Sequence, residues 1–500
     1  MQQNCEFGAA SYDTCCSDTN GNSMNINMAC MESSAVDKIL SYLNTSKEVG
    51  IVHGEPKTPG QYKLVVNHDS SEKVIRDYRC YMGQTGYPDP AQLYTQTGFS
   101  RLFARSYYWE EGQPPVTLNS LIHNEPKIPW LTDPTVGMQR YDYGCAYISD
   151  LVTPRDDGKE GFSIKTIKRP TVGGYEWNNA DGGGADSEEL YSIRLHSKDQ
   201  FNGGFIVISL TKAPYGAAAW PAFWMVGNDP NVWNFNKPKN PGLALTNNWP
   251  VRGEIDIVEY INSYTEEQKA LKERNHITLH TVPNCYSYRT SPNGQGKIDT
   301  KQRNNAGLEN INITGQGGDD CNYQKAFEGC GTSQKPYSTP GPWMEAHGGG
   351  IYAIEWVKGK FIKGYHWYKD DSRNPFEYFK NTETIDMNYL HNIFGLPDIK
   401  HDFETTCTIP EFLSDMFMIF NTAVCGDWAG NLDGTRLQED PSGISYEKKV
   451  YPDEETGSPG DGFRYPRCES AVRERLRQSD YEEFLKERFQ WDVDFVKVFT

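Results

Sequence analysis

Trp249-Pro250-Val251-Arg252-Gly253-Glu254-Ile255-Asp256-Ile257-Val258-Glu259-Tyr260 is the stretch on which the reading of this chain turns. Three carboxylates alternate there with strand-forming Ile and Val. Successive side chains of a strand point to opposite faces, so Glu254 and Asp256 share one face. Glu259 stands an odd number of residues beyond Asp256 and would face the other way. A single β-bulge at 257–258 adds one residue and returns Glu259 to the face of the other two. The reading predicts a sheet surface lined by three acids in a row.

Around this stretch the chain is a series of short β segments. Residues 191–195 and 204–210 alternate, and further strands are expected at 276–281, 351–356, 361–368, 416–421 and 491–499. Gly, Pro and Asn turns separate them, which predicts an all-β antiparallel sandwich or barrel. The loops 155–188, 282–342 and 429–466 are long and polar, of the kind that shapes binding sites. A charged segment near 470–489 is expected to be a short helix. Residues 1–105 read as a Cys-rich N-terminal extension, with a short helical pattern at 35–43, and 106–500 as the main domain.

Composition narrows the function classes. The chain has 500 residues, with 67 Asp plus Glu against 49 Lys plus Arg, a formal charge of −18. Such a surface repels nucleic-acid phosphates and anionic lipids. No apolar run approaches the roughly 20 residues that span a bilayer. Aromatic residues make up 13%, with 30 Tyr and 12 Trp, which suits a β protein or a sugar-binding surface. Twelve dispersed cysteines without a CxxC pair, and the sequons at Asn44 and Asn312, point to an oxidising compartment and a secreted protein whose targeting segment is absent from this N-terminus. GxSxG, HExxH and Walker motifs are missing.

Three like charges in a row raise at least one carboxyl pKa, leaving one group protonated while a neighbour is ionised. A retaining glycosidase needs that pair, a nucleophile and a general acid about 5–5.5 Å apart. A solvated acidic strand or part of a calcium site would show the same three acids. Upstream, Ala219-Trp220-Pro221-Ala222-Phe223-Trp224-Met225 is aromatic enough for a core strand or for sugar-stacking platforms.

Together, "WPAFWM" and "WPxxGEIDIxE" resemble glycoside hydrolase family 16, and the E-x-D-x-x-E form is similar to its laminarinase-type branch. Blocks at Ser192–Lys198, Thr278–Thr281, Gly348–Trp356, Asn421–Gly430 and Trp491–Phe499 resemble the family in the same order, closest to the secreted fungal-type laminarinases. The resemblance implies a concanavalin A-like jelly roll and a retaining endo-glucanase acting on β-1,3 or mixed β-1,3/1,4 glucans. It implies Glu254 as nucleophile, Glu259 as acid/base and Asp256 as the group that tunes the nucleophile. His280 is placed near Glu254. Trp220, Trp224 and Trp249 are implied for the glucan cleft, where alternation sends at least one to the core, and Asn421 and Trp428 join them. No organic cofactor is implied, and a structural calcium ion would be compatible. The implied disulfides are Cys407–Cys425 and Cys321–Cys330. Tyr260 stands where Gly is common, and would crowd a subsite. A β-glucan-binding wall protein and a transglycosylase are the alternatives on the same fold.

Overall fold

The computed structural model describes residues 50–84, 132–133, 139–143, 151–168, 190–227, 252–261, 274–281, 285–295, 297–298, 319–321, 329–405, 407, 412–424, 429, 472 and 475–500. Its longer strands are β1 (Gln61–His68), β2 (Tyr78–Gln84), β3 (Leu190–Phe201), β4 (Gly204–Lys212) and β5 (Ala219–Gly227). They continue with β6 (Glu254–Glu259), β7 (His276–His280), β8 (Tyr286–Thr290), β9 (Cys330–Ser333) and β10 (Gly350–Val357). The last are β11 (Phe361–Tyr368), β12 (Ile399–Asp402), β13 (Met416–Val424) and β14 (Gln490–Phe499).

These strands form two antiparallel sheets. The first runs β9-β7-β6-β5-β13-β3-β2 and the second β8-β12-β11-β10-β4-β14-β1, with shorter strands beyond each end. Most adjacent pairs, such as β5-β13, β13-β3, β10-β4 and β4-β14, join strands far apart in sequence, which is the jelly-roll pattern. Alternation puts one face of each sheet into a shared core. Phe223 and Met225 of β5, Met418 and Phe420 of β13, Ile206 and Ile208 of β4 and Val496 and Val498 of β14 all pack there. Each such side chain contributes about 1.5–3 kcal/mol through burial.

The second sheet is covered on its other face too. Phe205 and Val207 of β4 point away from the shared core. They pack with Trp367, Phe495 and Phe499 against Phe379 of α1 (Phe376–Asn381) and Leu390 of α2 (Met387–Phe394). A strand buried on both faces reads as an unbroken apolar run, which explains Phe205-Ile206-Val207-Ile208. The Asp386 carboxylate caps α2 by accepting from the amides of Asn388 and Tyr389. The charged C-terminal segment includes a helix of eight residues, Tyr481–Arg488.

Several expectations change. Residues 50–84 belong to the sandwich, although the reading assigned them to the extension. β1 pairs with β14 and β2 with β3, covering backbone groups that would otherwise form bare sheet edges. The stretch 282–342 is not one loop, since β8 and β9 lie within it. Cys407 pairs with Cys285 instead of Cys425, because β8 pairs with β12 and brings the two cysteines opposite each other across 122 residues of sequence. Cys321 pairs with Cys330 as expected. Cys5, Cys15, Cys16, Cys30, the 35–43 pattern, both sequons, Cys425, Trp249 and Trp428 lie outside the described residues.

Candidate active site

The three acids stand on β6. Its register against β5 pairs Val226 with Glu254 and Trp224 with Asp256, then slips one residue so that Phe223 meets Val258 and Ala222 meets Glu259. Ile257 is the extra residue of the expected bulge. Ile255, Ile257 and Val258 pack in the shared core. That leaves Glu254, Asp256 and Glu259 on the outer face of the first sheet. Gly253 enters the strand at φ +81°, and a Cβ there would sit 2.6 Å from a Leu413 methyl, so the glycine before Glu254 serves both backbone and packing.

β7 lies beside β6 and sets His280 directly opposite Glu254. The His280 Nε2 is 3.3 Å from Asp256 Oδ2 and 3.8 Å from Glu254 Oε1. Glu254 and Asp256 are buried, and Glu259 is part-buried. From β5, the Trp220 indole N–H donates to Glu259 Oε1 at 3.0 Å. Burial pushes the Glu259 carboxyl up to about 8. The Asp256 charge adds to this, and His280 and the Trp220 hydrogen bond oppose it. Burial also raises the Asp256 carboxyl. The face can hold a proton on Glu259 through neutral pH, as acid catalysis there requires.

Trp224 shares the face of Trp220, four residues away on the same strand. Its indole N–H donates to Asn421 Oδ1 at 2.5 Å, and the Arg194 guanidinium lies 4.6 Å from its ring centre. Both tryptophans are largely buried, so their tips are occupied by protein partners. The structure thus brings Glu254, Asp256, Glu259, His280 and Trp220 together, with Trp224 and Asn421 alongside. Tyr260 does not crowd this face. It packs into the shared core, and its hydroxyl donates to the Pro214 carbonyl at 2.6 Å.

Arg194 and His196 of β3 were not singled out from sequence, although alternation in Ser192-Ile193-Arg194-Leu195-His196 sends them to one face. The Arg194 Nε lies 2.6 Å from His196 Nε2. Asn275 was also missed, since it stands one residue before a strand and carries no motif.

Among the described residues, one group of His, Cys, Asp and Glu side chains is close enough to ligate a metal ion, namely Glu254, Asp256 and His280, with ligand atoms within 4.8 Å of one another. Two carboxylates and an imidazole do not make the six-to-eight-oxygen cage of calcium.

A family model described as the XgeA-like catalytic domain of family GH16 matches residues 168–236 and 243–454. "Probable glycosidase C21B10.07" of Schizosaccharomyces pombe is 26% identical over 292 residues, covering 54% of this chain and 57% of that protein. "Endo-1,3(4)-beta-glucanase xgeA" of Emericella nidulans is 27% identical over 304 residues, covering 60% of this chain and 37% of that protein. The chain therefore spans less than two thirds of the length of these relatives. The solved Laminarinase 16A of Phanerochaete chrysosporium is 18% identical, with 88% of this chain and 100% of that one covered at a TM-score of 0.45. The family match takes in β3 to β13, more than half of the chain, including the bulged strand with its three acids: the chain belongs to glycoside hydrolase family 16.

Proposed function

We propose that the protein is a retaining endo-glucanase that hydrolyses β-1,3 or mixed β-1,3/1,4 glucans by double displacement. The observation that carries this reading is the bulge, which aligns Glu254, Asp256 and Glu259 on one face with a raised Glu259 pKa. Glu254 attacks the anomeric carbon while Glu259 gives its proton to the departing glycosidic oxygen. The C–O bond to the leaving sugar breaks, and an ester to Glu254 forms. Glu259, now ionised, takes a proton from water as that water attacks the anomeric carbon. The ester breaks, Glu254 is freed, and two inversions leave the β configuration. Asp256, its carboxyl raised by burial, stands between the two glutamates on the same face and tunes the charge of the nucleophile.

Side chains and water supply every step, so the proposed reaction needs no cofactor. The disulfides Cys285–Cys407 and Cys321–Cys330 favour an oxidising, extracellular setting. No helix of the described residues is long and apolar enough to cross a membrane.

The test is reducing-end release from laminarin and from mixed-linkage β-glucan, with product analysis. Shorter β-linked oligosaccharides are expected, and the ratio of the two rates reads linkage preference. Longer products would assign a transglycosylase, in which a sugar hydroxyl replaces water. Binding without any release would assign a glucan-binding protein.

His280 is held from behind. Gly329, next to the Cys321–Cys330 bridge, adopts φ +61°, and a Cβ there would lie 2.7 Å from both His280 Nδ1 and the Leu279 carbonyl oxygen. Gly329→Ala is expected to displace the imidazole from Asp256 and Glu254 and to lower kcat on laminarin by about ten- to a hundredfold. Full kcat in a folded Gly329→Ala protein would deny His280 any positioning role.

A further inference from the structure

We propose that Asn275 is a positioning residue that holds the bulge carrying Glu259. The inference rests on the reading of Glu259 as the acid/base. Pairing between β6 and β7 covers Glu254, Ile255 and Asp256, and the ladder ends there. A bulge leaves the extra residue's backbone groups out of the ladder, and buried N–H and C=O groups require partners. The Asn275 side chain supplies them. Its Nδ2 donates to the Ile257 carbonyl at 2.8 Å, and its Oδ1 accepts from the Glu259 amide at 3.1 Å. One carboxamide thereby does what a strand neighbour's peptide group would do. Asn and Gln are the side chains that offer a donor and an acceptor in that arrangement.

Asn275 is itself held on every polar atom. It is fully buried. The second Nδ2 hydrogen goes to Gln334 Oε1 at 2.9 Å, its main-chain N–H to Ser338 Oγ at 2.8 Å, and its carbonyl accepts from the Gln334 amide at 2.9 Å. The Glu259 backbone is thus tied to a rigid partner that touches neither substrate nor reacting atoms. Without the clamp, β6 can recover regular alternation by expelling the bulge. Regular alternation would turn Glu259 from the face of Glu254 toward the shared core, and the acid would no longer stand opposite the nucleophile.

The experiment compares Asn275→Ala with wild type on two substrates. Laminarin has a poor leaving group that needs a proton, whereas a 2,4-dinitrophenyl β-laminaribioside has one that leaves without it. The expected result is a fall of about a hundredfold in kcat on laminarin, with the first-turnover burst of dinitrophenol release, which reads the first displacement alone, near the wild-type rate. Amide hydrogen exchange in a peptide spanning 255–261 should quicken. Equal loss on both substrates, or unchanged rates and exchange, would overturn the proposal. If Asn275→Ala does not fold, the isosteric Asn275→Asp serves, because its second oxygen faces the Ile257 and Gln334 oxygens, and it should give the same split. Wild type inactive on both substrates would sink the glucanase reading instead, and the exchange measurement would still decide whether Asn275 holds the bulge.

Discussion

Glu254→Gln is expected to lower glucan hydrolysis by at least about 10⁴-fold, with thermal stability and glucan affinity close to wild type. The amide has nearly the same shape and fills the same place opposite His280 on β7. It cannot form the glycosyl ester, so the first displacement is lost while binding contacts remain. The Nε2 of His280, 3.8 Å from Glu254 Oε1 in the wild type, can still meet the side-chain carbonyl of the glutamine. The measurement is reducing-end release beside a melting curve and a laminarin-binding isotherm. More than a per cent of wild-type activity in the purified variant would remove Glu254 from the nucleophile's role.

Glu259→Ala should cost about 10²- to 10⁴-fold on laminarin, because both the proton donor of the first step and the base of the second disappear. On the dinitrophenyl glycoside the first step no longer needs the donor, so a glycosyl-enzyme should accumulate. Azide, a nucleophile that needs no base, should then speed turnover and yield a β-glycosyl azide. An α-azide, or no rescue at all, would contradict the retaining scheme. The pH profile tests the same residue. Burial disfavours the charged carboxylate, so Glu259 keeps its proton up to about pH 8. The acid must be protonated, and kcat/KM of the wild type should therefore fall as pH rises through about 8. Trp220 donates to the ionised form most strongly and so lowers this value. Trp220→Phe would move the limb to higher pH.

Much of the site was legible because its signal is local. The spacing of Glu254, Asp256 and Glu259 reveals a bulge by parity alone, since strand side chains alternate with period two. The same parity places Trp220 with Trp224 and Arg194 with His196. The strands at 204–210, 351–356, 361–368 and 491–499 were legible for the same reason. The helices of 376–394 were not, because they cover a sheet that already reads as buried. The strands at 286–290 and 330–333 were hidden among polar residues and turns. Asn275 and Gly329 carry no signal that composition or motif could isolate. Their meaning comes from what lies across the sheet.

By itself, the sequence of this protein determined an antiparallel β architecture and a face with three acids, since both follow from the order of apolar and polar residues along single strands. Only the tertiary structure decided the partners. Sheet order set Cys285 against Cys407, laid residues 50–84 beside β14 and β3, put His280 beside Asp256, and brought Asn275 under the bulge. The reason is physical. Alternation is a property of one strand, whereas register, disulfide pairing and the raised carboxyl of Glu259 arise from contacts between strands far apart in the chain, and from the burial those contacts create.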